Sequence, residues 1–448
     1  HKLPHVFSKG ARKQYLAVIG RALILNLVIV ALTCVIVGFY VGSTWSPTSY
    51  LRNLTILLIN KDGGTFGNQL ESSFLSIQTF GWQRSNTTDY TTQLVEYHAW
   101  AALIIPEGFT QKLENSIFNN APYQNNSLML FYEQGRSYSG SRFLTSAISS
   151  SLYALNSRFQ QLLFNNYSQY LTGCDPNLIA LPIPLSTTAV NPVRLYGEFV
   201  ASAFTILLII TLSSSSTQNT IRIYSQMINK VNIHQLLAWR FCHALFNNFI
   251  LSLGIALVVL WYGTSFTKGW FWYWMILWLT MAAYGSCVAF LNVLCGVYTN
   301  MAFPAFLIIS YAGSGSAIPL ELAAGFFRYG IVLPMYHSIS GFRYVIFGSG
   351  TQIGLNVGVL FLYLVIGQLL TYGLVLLKLW NRERLKLKSQ DKKKKTYVNL
   401  SNKDDQELEK TKVNNVGLKE KFGASDKDPQ HEHNVAFNNM TDEHIKEH

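Results

Sequence analysis

The chain has 448 residues, of which 49% are hydrophobic and 13% are charged, and its formal net charge is +12. Because soluble domains contain about 25% charged residues, this composition argues against a soluble protein and indicates an integral membrane protein. No nucleic-acid-binding motif accompanies the basic residues, so we interpret the positive charge as a determinant of membrane topology and expect no nucleic-acid partner.

The N-terminal arm, residues 1–14, is basic and contains no acidic residue. It is followed by a long apolar segment, residues 15–43, which we predict to be the first transmembrane helix. The apolar run is too long for a cleaved signal peptide, so we expect it to act as a signal anchor.

Residues 44–194 are predicted to form an extracytoplasmic domain of mixed α/β structure, large enough to bury its own core. Alternating and β-rich runs predict strands, and apolar residues at helical spacing predict helices. Pro106 is expected in the first turn of one helix. The predicted elements are a strand in Leu54–Gly64, a strand and then a helix in His98–Asn115, a strand in Ser127–Tyr138, and a helix in Ser139–Leu171.

The same domain contains four Asn-x-Ser/Thr sequons, which are candidate glycosylation sites. The acceptor asparagines are Asn53, Asn86, Asn125 and Asn166. Two further sequons, at Asn399 and Asn439, lie in the predicted cytoplasmic tail. Sequons alone therefore do not decide which side of the membrane a segment occupies.

Residues 195–380 are predicted to form a membrane domain with five more spans, since each stretch approaches the roughly 20 apolar residues that a spanning helix needs. They are Phe199–Leu212, which needs flanking residues to reach full length, Phe241–Tyr262, Trp270–Cys295, Met301–Ile318 and Ile353–Leu377. The predicted fold class is thus an α-helical polytopic membrane protein with six transmembrane helices (1 + 5) and a mixed α/β extracytoplasmic domain between helices 1 and 2.

Lys and Arg residues predict the orientation of these spans. They cluster in the N-terminal arm, in the loop that carries Arg222, Lys230 and Arg240, and directly after the last span. Because positive charges favour the cytoplasmic side, we expect both termini in the cytoplasm. The sequence contains no targeting signal that separates the plasma membrane from the endoplasmic reticulum.

An aromatic segment at residues 319–350 precedes the last span and carries Glu321, Arg328 and Arg343. We expect Pro319 to end the fifth helix, because its ring cannot continue one. Mixed aromatic and charged residues are typical of a membrane interface. The segment is therefore predicted to form short helices that lie on the outer surface or dip into the protein, as a cap or an entry gate.

The tail, residues 381–448, is rich in charged and amide residues and has too few apolar residues for a core, so disorder is expected. Its basic stretch next to the last span would either attract anionic lipid or simply follow the positive-inside rule. A phosphate-binding loop, a His-Glu-x-x-His motif, zinc-type Cys/His spacing and a Gly-x-Ser-x-Gly motif are all missing from the sequence. We therefore expect no catalytic residues, no metal site, no cofactor and no enzyme activity.

Four short motifs carry a resemblance to a known family. They are IIPEGF at residues 104–109, YEQGRSY at 132–138, Pro-Leu-Glu at 319–321 and Gly-Phe-Arg-Tyr at 341–344. With the one-plus-five layout, they resemble the fungal nitrosoguanidine-resistance membrane proteins (DUF3533-like), a family similar to ABC-2-type permeases and phage-infection-type proteins. The resemblance spans residues 15–380 and implies a role in resistance to toxic compounds or in lipid arrangement. It implies no substrate and no catalytic residue.

The first functional hypothesis is export of a toxic amphipathic compound, or lipid translocation, without an ATPase of the chain's own. Charged residues in or near a membrane are candidate functional groups. The candidate substrate contacts are Glu198, Glu321, Arg328 and Arg343. For Glu198, which opens the second span, a purely interfacial role remains equally open.

The second hypothesis is a membrane adaptor or regulator that moves nothing and acts through its external domain and basic tail.

The expected partners of the chain are membrane lipids and a separate ATPase or regulatory protein. By analogy with paired ABC-2-type half-permeases, a homodimer is also expected.

Overall fold

The structure is a computed structural model that describes residues 9–123, 126–171, 173–228 and 230–421. It begins with α1 (Lys9–Ser43), which leads into the α/β domain. The domain contains a five-stranded sheet in the order β2-β1-β3-β4-β5. The strands are β1 (Thr55–Asn60), β2 (Gly81–Arg84), β3 (Ala101–Ile105), β4 (Leu128–Glu133) and β5 (Leu185–Val190). The helices are α2 (Thr65–Ser76), α3 (Tyr90–Val95), α4 (Phe109–Phe118), α5 (Tyr138–Tyr167) and α6 (Pro176–Ala180).

Two central strands of the sheet, β1 and β3, are buried on both faces. β1 runs parallel to β2 and β3, β4 runs antiparallel to β3, and β5 runs parallel to β4. Because successive side chains of a strand point to opposite faces, Ile56 and Leu58 join one core cluster, while Leu57 and Ile59 join another. This two-sided burial explains why β1 and β3 read as continuous apolar runs in the sequence.

Two features of the α/β domain differ from the sequence prediction. Pro106 lies before α4 and not in its first turn, because Gly108 adopts φ +71 at the N-cap and the helix begins only at Phe109. The strands β2 and β5 were not predicted, because β2 has four residues and neither strand contains a run of buried apolar residues.

Seven further helices follow the α/β domain in the part of the chain that the structure describes. They are α7 (Tyr196–Ala203), α8 (Thr205–Ser225), α9 (Ile233–Trp261), α10 (Trp270–Cys295), α11 (Thr299–Ala312), α12 (Pro334–Phe347) and α13 (Ile353–Lys421). By length and composition, five helical stretches of the described residues can cross a membrane, in agreement with an integral membrane protein. These stretches are Asn26–Ser43, Tyr196–Ser225, Ile233–Trp261, Trp270–Ala312 and Ile353–Lys392.

The fourth of these stretches contains two helices. Gly296 has φ +58 and separates α10 from α11, so the 43-residue stretch is not one straight span. The 14 residues of α11 cover about 21 Å, which is less than the ~30 Å hydrocarbon thickness of a bilayer. Every predicted span overlaps a helix, but the count of six crossings stays a prediction.

The chain after α11 forms short helices inside the protein. α11 ends at Ala312, well before Pro319, so the prediction that Pro319 ends this helix is wrong. The chain turns at Gly313 and continues through 3₁₀ helices at Leu320–Leu322 and Gly325–Val332 into α12. α12 packs against α10, and its Ile339 and Phe342 lie in the same core cluster as Tyr273 of α10. The sequence left two placements open for residues 319–350, on the outer surface or dipping into the protein. In the structure this segment enters the protein.

The tail also differs from the expectation. α13 remains helical through residue Lys421, so the expected disorder of residues 381–421 is wrong for the backbone. This stretch contains Lys, Glu, Leu and Gln, which favour helix, and it has no proline. Residues 422–448 lie outside the described part of the chain. Residues up to Val375 form one compact unit, and the fold described so far belongs to it except for the end of α13.

Candidate functional site

Three of the four predicted contact residues line one cavity of about 260 Å³, which we call the junction cavity. Glu321, Arg328 and Arg343 reach it from the segment that follows α11. The α/β domain contributes Tyr97 and Arg136 to the same cavity. The cavity therefore lies where the α/β domain meets the cap formed by the 3₁₀ helices and α12.

Arg136 is the residue through which the α/β domain enters the junction cavity. Its Nη1 atom donates hydrogen bonds to the carbonyl oxygens of Tyr97 (3.2 Å) and Ala99 (3.4 Å). Its guanidinium lies 4.6 Å from the ring centre of Tyr97 and 4.0 Å from that of Trp100. Such cation–π contacts hold a guanidinium in a fixed plane. The side chain is only 11% exposed, so Arg136 is an ordered wall of the cavity.

Glu321 pairs with this arginine. Its Oε1 atom lies 2.5 Å from Arg136 Nη2. Its backbone carbonyl accepts a hydrogen bond from Asn53 Nδ2 at 2.9 Å, so the 3₁₀ turn is held at two points. Since the pair neutralises itself, the remaining charges of the cavity wall come from Arg328 and Arg343 and are positive.

Arg343 projects from α12 into the junction cavity. Its Nη2 atom donates to the carbonyl oxygen of Gly315 at 2.8 Å. Gly315 adopts φ +69, a conformation that side chains disfavour, and this turn places its carbonyl beside the guanidinium. A glycine adopts this turn without strain, so Gly315 favours the contact that holds Arg343.

Glu198 lies elsewhere, at the start of α7, and is 1% exposed. Its Oε2 atom accepts from the backbone N–H groups of Arg194 (2.9 Å) and Leu195 (3.4 Å). Its Oε1 atom accepts from the hydroxyl of Ser265. These contacts cap α7 and fix it to the loop before α10, and the structure does not bring Glu198 to the junction cavity.

A second polar cavity of about 290 Å³, which we call the side cavity, adjoins the first. The two cavities share Tyr97, Arg136, Tyr336 and Ser340 as walls. The side cavity also contains Glu96, whose Oε2 atom lies 3.3 Å from Nε2 of His98. The polar space at this junction is thus divided by Arg136 and Tyr336.

An apolar groove of about 660 Å³ lies among α10, α11, α12 and α13. Its wall on α13 is formed by Val359, Leu362, Ile366 and Leu370, among others. Ile331 lines both the groove and the junction cavity, so the apolar and polar spaces meet at this residue.

His337 closes the groove beside Ile331. Its Nε2 atom bonds with the carbonyl oxygen of Ile331 and its Nδ1 atom with Asn356 Oδ1, both at 2.8 Å. His337 lines the groove and Asn356 lines the side cavity. The histidine therefore links α13 to the backbone of Ile331, which lies at the boundary between the groove and the junction cavity.

Glu133, at the end of β4, is a buried acid that sequence reasoning did not single out. It is fully buried and accepts hydrogen bonds from the hydroxyl of Ser349 and from Asn191 Nδ2 (3.1 Å). Burial raises its pKa to about 7, although both hydrogen bonds oppose the shift. Ser349 belongs to the loop between α12 and α13, so Glu133 ties the sheet to the cap. Its only sequence signal is its place in YEQGRSY, where Arg136 also lies.

The candidate glycosylation sites differ in accessibility. Asn86 and Asn166 are exposed. Asn53 is exposed as well, but its amide nitrogen is bonded to the Glu321 carbonyl. Asn125 lies outside the described residues. Glycosylation of these positions stays a prediction.

Comparisons with known proteins give two results. The family model described as "Protein of unknown function (DUF3533)" matches residues 23–369. A solved structure described as "Crystal structure of a domain of a putative ABC type-2 transporter from Thermotoga maritima MSB8" is 20% identical over 30% of this chain and 83% of its own length. The TM-score of that match is 0.23, which is too low to establish a shared fold.

Proposed function

We propose that this chain, which belongs to the DUF3533 family, is an integral membrane protein that moves an amphipathic compound or a lipid between the bilayer and its extracytoplasmic face. The match to the DUF3533 family confirms the family named in the resemblance. The permease-like activity, the fungal origin and the link to drug resistance belong to the proposal.

The observation that carries the proposal is the junction of two unlike spaces at Ile331. The groove on one side is almost wholly apolar, and the junction cavity on the other side is lined by charged residues. An amphipathic molecule has one part that each space would stabilise. Cavities of about 300–1,000 Å³ are typical for bound small molecules, and the groove lies within that range.

The length of the groove also supports movement along the membrane normal. Its wall on α13 extends from Val359 to Leu370, which corresponds to about 17 Å of helix. This is roughly half of the ~30 Å hydrocarbon thickness. With the predicted cytoplasmic termini, the junction cavity would lie at the outer end of the groove.

Uphill movement of the compound needs an energy source outside the chain, whereas downhill movement needs none. The sequence has no phosphate-binding loop, so hydrolysis of ATP by that route is not expected. A separate ATPase, an ion gradient, or downhill scrambling would each suffice. Export through this path would explain the resistance to toxic compounds that the family resemblance implies. We propose the plasma membrane or the endoplasmic reticulum as its location and a homodimer as its assembly.

Charge-neutralising variants test the proposal. We expect Glu321→Gln and Arg343→Gln to reduce efflux of an amphipathic fluorescent tracer from reconstituted vesicles, because each changes the polar end of the path. Glu107→Gln and Arg142→Gln alter exposed charges of the α/β domain and serve as matched controls. If vesicles that contain the unaltered chain release the tracer no faster than protein-free vesicles, the proposal is refuted.

The adaptor function remains the second candidate because of a cleft in the α/β domain. A partly open space of about 300 Å³ lies between α2 and α5 and is lined by Phe66, Leu70, Leu155 and Phe159. On α5, Tyr153 is 74% exposed. A partner protein could bury these apolar side chains.

Truncation after Trp380 separates the two candidates. Transport by the membrane domain predicts full activity without the tail. Loss of activity with unchanged localisation would favour the adaptor.

A further inference from the structure

We propose that the substrate is an anionic phospholipid, with its phosphate in the junction cavity and an acyl chain in the apolar groove. This inference rests on the proposed function and specifies its substrate class. It uses four observations: the charge of the cavity, the unused donors of two arginines, the pairing of Glu321, and the length of the groove.

The charge of the junction cavity favours an anion. Its wall contains three arginines and one glutamate, a formal net charge of +2. Arg136 and Glu321 offset each other, which leaves Arg328 and Arg343. In the neighbouring side cavity, Glu96 is 3.3 Å from His98 and is thus engaged outside the junction cavity.

The two remaining arginines have free hydrogen-bond donors in the described structure. A guanidinium carries five N–H donors in a planar fork that matches phosphate oxygens. The one side-chain hydrogen bond that the described residues give Arg343 is from Nη2 to Gly315. Arg328 is exposed and lines the same cavity. Together they can provide a two-sided clamp for a phosphate.

A cationic amphiphile fits the cavity less well. Its natural partner would be Glu321, whose carboxylate is already 2.5 Å from Arg136. A cation would also approach the guanidinium groups of Arg328 and Arg343, and like charges at short range repel. The polar end therefore discriminates in favour of negative head groups.

The groove identifies the anion as a lipid and not a soluble phosphate. Its length on α13, about 17 Å, is close to the thickness of one leaflet, about half of ~30 Å. Most of its wall is formed by Leu, Ile, Val and Phe side chains. Ile331 lines both the groove and the junction cavity, so the two spaces are adjacent. The proposed lipid reaches from one space into the other past this side chain.

Binding to the purified full chain in detergent tests the inference. The probes are fluorescent phosphatidic acid, the matched phosphatidylcholine, a matched cationic lipid and unlabelled glycerol 3-phosphate. We expect phosphatidic acid to bind about tenfold or more tightly than the other two lipids, since charge-assisted contacts to phosphate are strong. Glycerol 3-phosphate should not displace it at equal concentration.

Variants locate the site. Arg328→Gln should weaken phosphatidic acid binding about tenfold, and because Arg328 is exposed this change should leave folding intact. Arg343→Gln should act in the same direction, with Arg343→Lys retaining part of the affinity if the chain is folded. Arg142→Gln is the matched control and should bind like the unaltered chain.

Three results would overturn the inference: equal binding of phosphatidylcholine, tighter binding of the cationic lipid, or full displacement by glycerol 3-phosphate. The last result would identify a soluble phosphate ligand instead. Because binding is measured without transport, the two proposals fail separately. A chain that binds phosphatidic acid with this preference but moves neither lipid nor tracer refutes the proposed function alone, whereas tracer or lipid movement without charge preference in binding refutes this inference alone.

Discussion

Arg136 is held within the α/β domain by two backbone hydrogen bonds and two aromatic rings, and its ion pair with Glu321 joins this domain to the cap. Its removal would leave Glu321 without its charged partner in a partly buried position. Hydrogen bonds to charged groups contribute about 1.5–3 kcal/mol each. This residue should therefore control the stability of the whole junction.

The first prediction follows from this pairing. Arg136→Ala should lower the free energy of unfolding by about 2–3 kcal/mol, measured as a lower apparent midpoint of thermal unfolding in detergent. Arg142→Ala removes an exposed arginine of the same domain and should change stability by less than about 0.5 kcal/mol. An equal effect of the two variants would show that Arg136 does not hold the junction.

The second prediction concerns the pH dependence of Glu133. Its pKa of about 7 in the folded chain is above the ordinary value of 4.5, so the folded state binds the proton more tightly than the unfolded state. The stability contribution of this group is therefore fully present below pH ~4.5 and is lost as the pH rises to about 7. Above that range the effect is constant.

Thermal unfolding between pH 5 and 8 measures this effect. Glu133→Gln keeps the size of the side chain and should remove the part of the decline that Glu133 causes. Glu107→Gln changes an exposed acid of the same domain and should keep the full decline. An unchanged pH profile for Glu133→Gln would contradict the assignment.

The residues of the site were only partly predictable. Glu321, Arg328 and Arg343 stand out in the sequence because charges are rare in apolar segments. Arg136 does not stand out, because it lies in a polar domain and its contact with Glu321 spans 185 positions. Glu198 matched the same charge rule but caps a helix, and a single sequence does not distinguish these two uses.

At the scale of elements, the 3₁₀ helix at Gly325–Val332 is unusual. It has eight residues, whereas such helices seldom exceed three or four. It contacts α1, since Phe39 lies 5.8 Å from Phe326 and 6.5 Å from Phe327 between ring centres. A close backbone approach also fixes it to the end of α11, where Gly330 faces Gly313.

The third prediction tests this approach. A Cβ on Gly330 would lie 1.6 Å from the carbonyl oxygen of Gly313, which is a backbone atom and has little freedom to move. Gly330→Ala should therefore cost about 1–3 kcal/mol of stability and lower the apparent unfolding midpoint. Gly325→Ala, in the same helix, meets nothing within 4 Å and should be close to neutral. A neutral Gly330→Ala would contradict the described packing.

The long elements were predictable and the short ones were not. Hydropathy located a helix at every predicted span, because the apolar runs there are long and continuous. The end of α11 was misplaced because the chain leaves the helix at Gly313, where a backbone contact and not a proline sets the boundary. The strands of the α/β domain with continuous buried runs were predicted, whereas the half-exposed β5 was not.

At the scale of the molecule, the unit that ends at Val375 combines a sheet domain, a cap and a helix bundle. The sequence predicts this order of parts from composition alone. It leaves open whether the cap lies on the surface or enters the bundle, and it does not predict that an apolar groove meets a polar cavity at Ile331, because both depend on contacts between distant segments. This junction is the basis of the proposed movement of an amphiphile.

The most direct test of that claim measures lipid redistribution between the leaflets of reconstituted vesicles for two tryptophan variants of α13. Ile366 lines the groove, whereas Leu369 is 65% exposed and does not. Ile366→Trp should fill the groove and reduce the rate about tenfold or more, while Leu369→Trp should retain the rate of the unaltered chain. Equal rates in both variants and the unaltered chain would contradict movement along the groove.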